Sequence, residues 1–187
     1  MTYKPGRGKL RMQIQAERSP TMSTKENCIH ALGDEARNRE LYLAFAEKAD
    51  ADGQHQLARV FRAAAESELV HARAQVRELG LVGSSEENLK CAVAAEEREF
   101  QDKYAGYLRE AQRENNHRAA AMFARFLRVE RGHYKMFSEL LSQVTAGSPL
   151  ADEPVYVCSE CGNTTTGRRP DLCEVCGRRG GEFMDIA

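Results

Sequence analysis

The sequence contains no tryptophan, no apolar run near the roughly 20 residues needed to cross a bilayer, and almost no net charge. Its 27 lysines and arginines stand against 28 aspartates and glutamates, so the overall balance points to neither nucleic acid nor an anionic membrane as a partner. No Gly-rich nucleotide-binding fingerprint occurs. Met1 to Glu26 lacks the apolar core of a secretory signal, and the expected location is the cytoplasm. Frequent alanine and glutamate suit helices.

Cysteine is scarce until the end of the chain. Cys28 and Cys91 stand alone and read as small buried side chains. Cys158, Cys161, Cys173 and Cys176 form two CxxC pairs in the last 30 residues. A disulfide framework would spread its cysteines through the fold; paired CxxC in an intracellular chain reads as metal ligation. Two such turns can present four thiolates tetrahedrally to one ion, either iron or zinc. Gly162 and Gly177 follow the second cysteine of each pair, where glycine lets backbone N–H groups approach the sulfurs.

The expected organisation has four parts. Residues 1–24 are polar and basic, with Pro5, Gly6, Gly8 and Pro20, and read as a flexible tail. Residues 25–145 read as a four-helix bundle, 146–154 as a linker, and 155–187 as a small β/loop domain too short to build a core without a metal staple. In the bundle, Ala119, Phe123, Phe126, Glu130, His133, Phe137, Leu140 and Val144 alternate at spacings of three and four, which marks one inward stripe. Leu57, Phe61, Ala64, Glu68 and His71 repeat the pattern on the second helix, and Leu89, Ala92, Glu96 and Glu99 on the third. Gly53 separates the first two helices, Gly80 and Gly83 end the second, Ser84 and Glu87 offer a capping box for the third, and Asn115 and Asn116 precede the fourth.

Charged side chains on an inward stripe carry the chemistry. Glu68 and His71 share a helix face, as do Glu130 and His133. Burying unpaired carboxylates costs several kcal/mol each, so these residues with Glu35, Glu96 and Glu99 need cations. One Glu from each of two helices and Glu-x-x-His from each of the other two is the diiron-carboxylate pattern. An internal repeat supports it: Glu35 to Glu68 spans 33 residues and Glu96 to Glu130 spans 34. His30, His55 and His117 lack such companions and read as solvated.

The motifs FRAAAESELVH, ENLKCAVAAEEREF, FLRVERGH, YVCSECG and LCEVCG, with Glu35 upstream, make residues 25–187 resemble the rubrerythrin family. The resemblance implies a mainly α, ferritin-like four-helix bundle followed by a rubredoxin-like domain. It implies a peroxidase that reduces hydrogen peroxide with electrons relayed through the cysteine-bound iron from an external rubredoxin or nicotinamide-dependent reductase. It implies that Glu68 and Glu130 bridge two irons, that Glu35 serves one and Glu96 with His133 the other, and that one iron moves between Glu99 and His71 with redox state. Tyr42 and Tyr104 match tyrosines beside the family's site. The sequence departs from the family pattern at Asn163, where an aromatic usually follows CxxCG, and in the second CxxC, which lacks the usual proline. Two other readings share some features: an iron-oxidising storage protein, and a non-catalytic helical protein with a structural zinc ribbon.

Chain length also bears on assembly. If the two hairpins are related by a pseudo-two-fold axis in one bundle, the second and third helices run parallel. The end of one and the start of the next then lie about 34 Å apart, roughly 17 Å on either side of the metals at 1.5 Å per residue. Residues 80–85 extend to about 20–22 Å. Either the third helix runs antiparallel to the second, which breaks the symmetry that pairs the two Glu-x-x-His motifs, or the second hairpin docks into another chain's bundle; the expectation is the latter, a domain-swapped homodimer.

Overall fold

A computed structural model describes residues 22–186. The expected tail falls at residues 1–21 outside the described residues, but Ser23 and Thr24 belong to the first helix. The described chain divides into two units, the first ending at Leu81 and the second beginning at Val82.

The first unit is a helical hairpin of α1 (Thr24–Ala51) and α2 (His55–Glu78). The sequence Ser23-Thr-Lys-Glu26 starts α1 with a reciprocal capping box: Glu26 N–H donates to Ser23 Oγ at 3.2 Å, and Ser23 N–H to Glu26 Oε2 at 2.7 Å. Gly53 turns the chain at φ +74°. Asp50 clasps the turn by accepting from Arg62 at 2.8 Å and pairing with His55 at 3.0 Å, so His55 has a partner that its sequence context did not suggest. Ala46, Ala49 and Ala58 bury almost completely against Phe61; their small side chains let the two helices approach closely. Gly80 ends α2 at φ +60°, with Leu81 N–H on Val76 O and Gly80 N–H on Arg77 O, a Schellman closure.

The second unit contains α3 (Ser85–Arg98), a π-helical segment (Glu99–Lys103), α4 (Tyr104–Arg113), α5 (His117–Thr145) and a small sheet. Ser84 and Glu87 form the expected capping box. The third helix, expected to be continuous, is interrupted by the π segment. The reason lies in the spacing of its packed residues. Ala92, Glu96, Phe100 and Tyr104 follow in three steps of four, which overruns three turns of 3.6 residues by about one residue. The wide turn absorbs that residue. Phe100 then meets Tyr134 of α5 at 5.2 Å between ring centroids, and Tyr104 meets Phe126 at 5.6 Å. Asn115 takes φ 55°, and the Asn116 side chain caps α5 by accepting from Ala119 N–H at 3.1 Å.

The sheet has the order β2-β1-β3, with β1 (Val155–Cys158), β2 (Thr164–Thr166) and β3 (Phe183–Ile186) all antiparallel. Tyr156 pairs with Thr165 on one side and Asp185 on the other. Its small core consists of Cys158, Cys161, Cys173 and Phe183, completed by Val129 from α5. Cys91 is exposed and Cys28 half-buried, so neither is the buried small side chain its isolation suggested. Among the described residues, no helix is long and apolar enough to cross a membrane.

Candidate metal centre

Each unit gathers one carboxylate–histidine cluster. In the first, α1 presents Glu35 and α2 presents Glu68 and His71 one turn apart. His71 Nδ1 lies 3.5 Å from Glu68 Oε2 and 3.9 Å from Glu35 Oε2. Hydrogen bonding to Glu68, then burial, raises the Glu35 pKa: without a cation, two neighbouring carboxyls favour sharing a proton. In the second unit, α3 presents Glu96 and α5 presents Glu130 and His133. His133 Nδ1 lies 2.9 Å from Glu130 Oε2 and 4.0 Å from Glu96 Oε2. Burial raises the Glu96 pKa, with the Glu130 charge adding to it. The hydrogen bond to Glu130 raises that of His133. In each cluster, ligand atoms from all three residues lie within 4.8 Å of one another.

The two clusters differ behind the imidazole. His133 Nε2 faces Thr164 Oγ1 at 3.1 Å, and Thr164 in turn donates to Gly162 O at 3.3 Å. A proton on Nε2 leaves the Nδ1 lone pair directed at the carboxylates, the tautomer a metal ligand requires. His71 has a side chain 55 % exposed against 22 % for His133, so it is the less constrained of the two.

Glu99 stands apart from both clusters. It lies on the π segment, where its carboxylate pairs with Lys103 Nζ at 2.7 Å. Tyr42 packs with Phe45 and Phe61 at 6.2 and 6.4 Å, and Tyr104 packs among Phe123, Phe126 and Tyr107. Burial raises the Tyr104 pKa.

The four cysteines converge on a site with the dimensions of a tetrahedral ion. Cys158 and Cys176 sulfurs are 3.6 Å apart, as are those of Cys161 and Cys173. Four bonds of about 2.3 Å place sulfurs at tetrahedral corners about 3.8 Å apart, whereas a disulfide would bring two to about 2.05 Å. The two loops share a construction. Gly162 N–H bonds Cys158 O at φ +80°, and Gly177 N–H bonds Cys173 O at φ +76°. Backbone N–H groups then point at the sulfurs. Burial opposes ionisation of Cys158, but donation from Glu160 and Cys161 outweighs it and lowers its pKa. Burial raises the Cys161 and Cys176 thiols, so four charges can coexist here only with a cation between them. Asn163, which replaces the usual aromatic, is 3 % exposed, and its carbonyl accepts from Cys158 N–H at 2.9 Å.

Sequence reasoning missed Thr164, Lys103, Arg128 and Val129. Val129 and Gly132 do stand three apart beside the main stripe of α5, a second face that a helical plot would reveal. Nothing local marks Thr164, whose partner is 31 residues away.

Residues 26–141 match the rubrerythrin family model. A rubrerythrin of Porphyromonas gingivalis is 31 % identical over 169 residues, covering 82 % of this chain and 84 % of that protein. Nigerythrin of Nitratidesulfovibrio vulgaris is 29 % identical over 173 residues, covering 83 % of each. Among solved structures, fully reduced, all-ferrous nigerythrin aligns with a TM-score of 0.53 at 26 % identity, over 92 % of this chain and 91 % of that one. The mixed-valent state of nigerythrin aligns with a TM-score of 0.52 at 27 % identity. The fold class is therefore ferritin-like helical with a C-terminal rubredoxin-like domain, and the cofactors are two irons of a diiron-carboxylate site and one iron on the four cysteines.

Proposed function

Because this chain belongs to the rubrerythrin family of diiron oxidoreductases, we propose that it reduces hydrogen peroxide to water, with two electrons and two protons consumed per peroxide. The observation that carries this reading is the join between the two kinds of site: the imidazole of one Glu-x-x-His is hydrogen-bonded to the cysteine loop through Thr164. An iron-storage protein has no use for such a junction, and a zinc ribbon has no use for the carboxylates.

Bound at the carboxylates, a ferrous pair would supply the two electrons that break the O–O bond, and iron held by Cys158, Cys161, Cys173 and Cys176 would return them one at a time as the external donor reloads it. The protein's own residues do the rest. Glu68 and Glu130 would be shared by both metals, Glu35 would hold one of them, and Glu96 with His133 would hold the other. Thr164 keeps the His133 proton on Nε2. Glu99 and His71 would serve as alternative ligands of one metal as its redox state changes. Two features support the exchange: His71 is loosely held, and Glu99 sits on a wide helical turn against a flexible lysine. Tyr42 and Tyr104 would flank the metals, each held by packing against neighbouring aromatic rings.

Each unit carries only half of the ligand set. A complete site then forms in a homodimer, with Glu35, Glu68 and His71 from one chain and Glu96, Glu99, Glu130 and His133 from the other. An external rubredoxin-type protein or nicotinamide-dependent reductase reloads the cysteine-bound iron, and the protein works in the cytoplasm. Metal analysis with a visible spectrum tests the assignment. Three irons per chain and the red colour of ferric four-thiolate iron are expected; zinc on the cysteines of protein matured with ample iron would remove the relay.

A further inference from the structure

Arg125, Arg128, Val129, Gly132 and His133 fall on one stripe of α5, and each meets the four-cysteine module. Arg125 pairs with Glu160 at 3.4 Å. Val129 is 3 % exposed within the core formed by Cys158, Cys161, Cys173 and Phe183. A Cβ at Gly132 would touch Asn163 Oδ1 at 3.9 Å, so the helix backbone itself lies against the first cysteine loop. Arg128 makes the most directed contact: its Nη2 donates to Glu174 O at 2.6 Å and its Nη1 to Val175 O at 3.1 Å. Those two carbonyls belong to the residues between Cys173 and Cys176.

Arg128 differs from the other arginines at this junction. Arg125 and Arg178 both pair with Glu160, and Arg178 also pairs with Glu182. Among the described residues, no carboxylate lies within ion-pair distance of Arg128, and both its donors serve the cysteine loop. One planar fork on two successive carbonyls fixes both the position and the orientation of that loop, which a lysine's single point charge does less well. The linker after α5 only keeps the module nearby; the fork selects one docked position.

We propose that Arg128 is a positioning residue that pins the Cys173–Cys176 loop to α5 and, through its unneutralised charge, raises the ferric/ferrous potential of iron bound to the four thiolates. A four-thiolate site gains a negative charge on reduction, so a cation held at its edge favours the reduced form. The guanidinium is exposed, so added salt weakens this effect.

The experiment uses full-length, iron-loaded protein and the variants Arg128→Leu and Arg128→Lys. Amide hydrogen exchange reads the clamp, and redox titration of the visible four-thiolate absorbance reads the potential. In Arg128→Leu, exchange at residues 162–164 and 174–176 is expected to accelerate roughly tenfold, the effect of losing a charge-assisted hydrogen-bond pair, while α1 and α2 exchange as in wild type. The potential is expected to fall, and its gap from wild type to narrow in high salt. Arg128→Lys is expected to hold the potential near wild type while restoring only part of the protection. Wild-type exchange at both loops in Arg128→Leu would overturn the clamp. A wild-type potential in Arg128→Leu, or an equal fall in both variants, would overturn the role of the charge. Neither readout uses peroxide turnover, so each stands or falls separately from the proposed activity; only the identity of the metal is shared with it.

Discussion

Glu99 lies three residues beyond Glu96, yet the two carboxylates have different surroundings: Glu96 joins Glu130 and His133, and Glu99 is held by Lys103. Sequence spacing placed both on one stripe, because a continuous 3.6-residue period makes no allowance for a π turn that rotates everything after it. Replacing Glu99 with alanine should leave two irons in the bundle, since six ligands remain, and should slow oxidation of the reduced protein by peroxide at least about tenfold, the scale of losing a tuning interaction at a metal. Metal analysis and stopped-flow absorbance check both parts; a full rate would make Glu99 a nearby charge only. Cys176→Ser removes one of four thiolates and should abolish the red colour. Peroxide should still oxidise the reduced bundle once, while steady-state turnover with an external donor collapses. Unchanged turnover would show that electrons enter by another route. The Glu-x-x-His pairs and the CxxC pairs were legible because each sits within four residues of sequence. Thr164 and Arg128 were not, because their partners are 31 and 46 or 47 residues away.

At the scale of elements, the ends of the helices were the easiest features to read. Ser84 and Glu87 cap α3 as their spacing suggested, and Gly53, Gly80 and Asn115 take the positive φ that their positions implied. The interior of the third helix was harder. Its residues satisfy helical periodicity on both sides of the π segment, and only the three successive steps of four betray the insertion. The capping box makes a pH-dependent prediction. Hydrogen bonds from the Ser84 backbone and side chain hold the Glu87 carboxyl below its usual range. A group depressed in the folded state stabilises above its unfolded pKa and loses that contribution as pH falls through the folded value. Glu87→Ala should therefore unfold at lower urea than wild type at neutral pH, and the gap should close through the acid range. Urea midpoints across that range check it; a gap constant with pH would contradict the assignment.

For the whole molecule, the informative quantity is the length of the connection between hairpins. With α2 ending at Glu78 and α3 starting at Ser85, residues 79–84 are available. At about 3.3–3.6 Å per residue they reach roughly 20–22 Å, short of the about 32 Å that parallel neighbours in one bundle demand. The proposed exchange between chains would resolve the shortfall. Mixing Glu68→Ala chains with Glu130→Ala chains should restore part of the activity, because one site in each heterodimer has every ligand intact and the other has lost two. Demonstrated exchange of chains without recovery would rule out the swap. The seating of the cysteine module on α5 belongs to the same scale, and it was illegible in sequence because its core borrows Val129 from a helix that periodicity assigns to the bundle.

The most direct test of the account is anaerobic mixing of fully reduced, iron-loaded protein with excess hydrogen peroxide, followed at the red absorbance of ferric four-thiolate iron. The colour is expected to appear faster than with an equal concentration of dioxygen, and Glu130→Ala to slow it in proportion to lost bundle iron while leaving the cysteine-bound iron in place. Cysteine-bound iron that stays reduced in peroxide, or that reddens at the same rate after Glu130→Ala, would contradict the claim that the carboxylate site reduces peroxide with electrons drawn from the cysteine-bound iron.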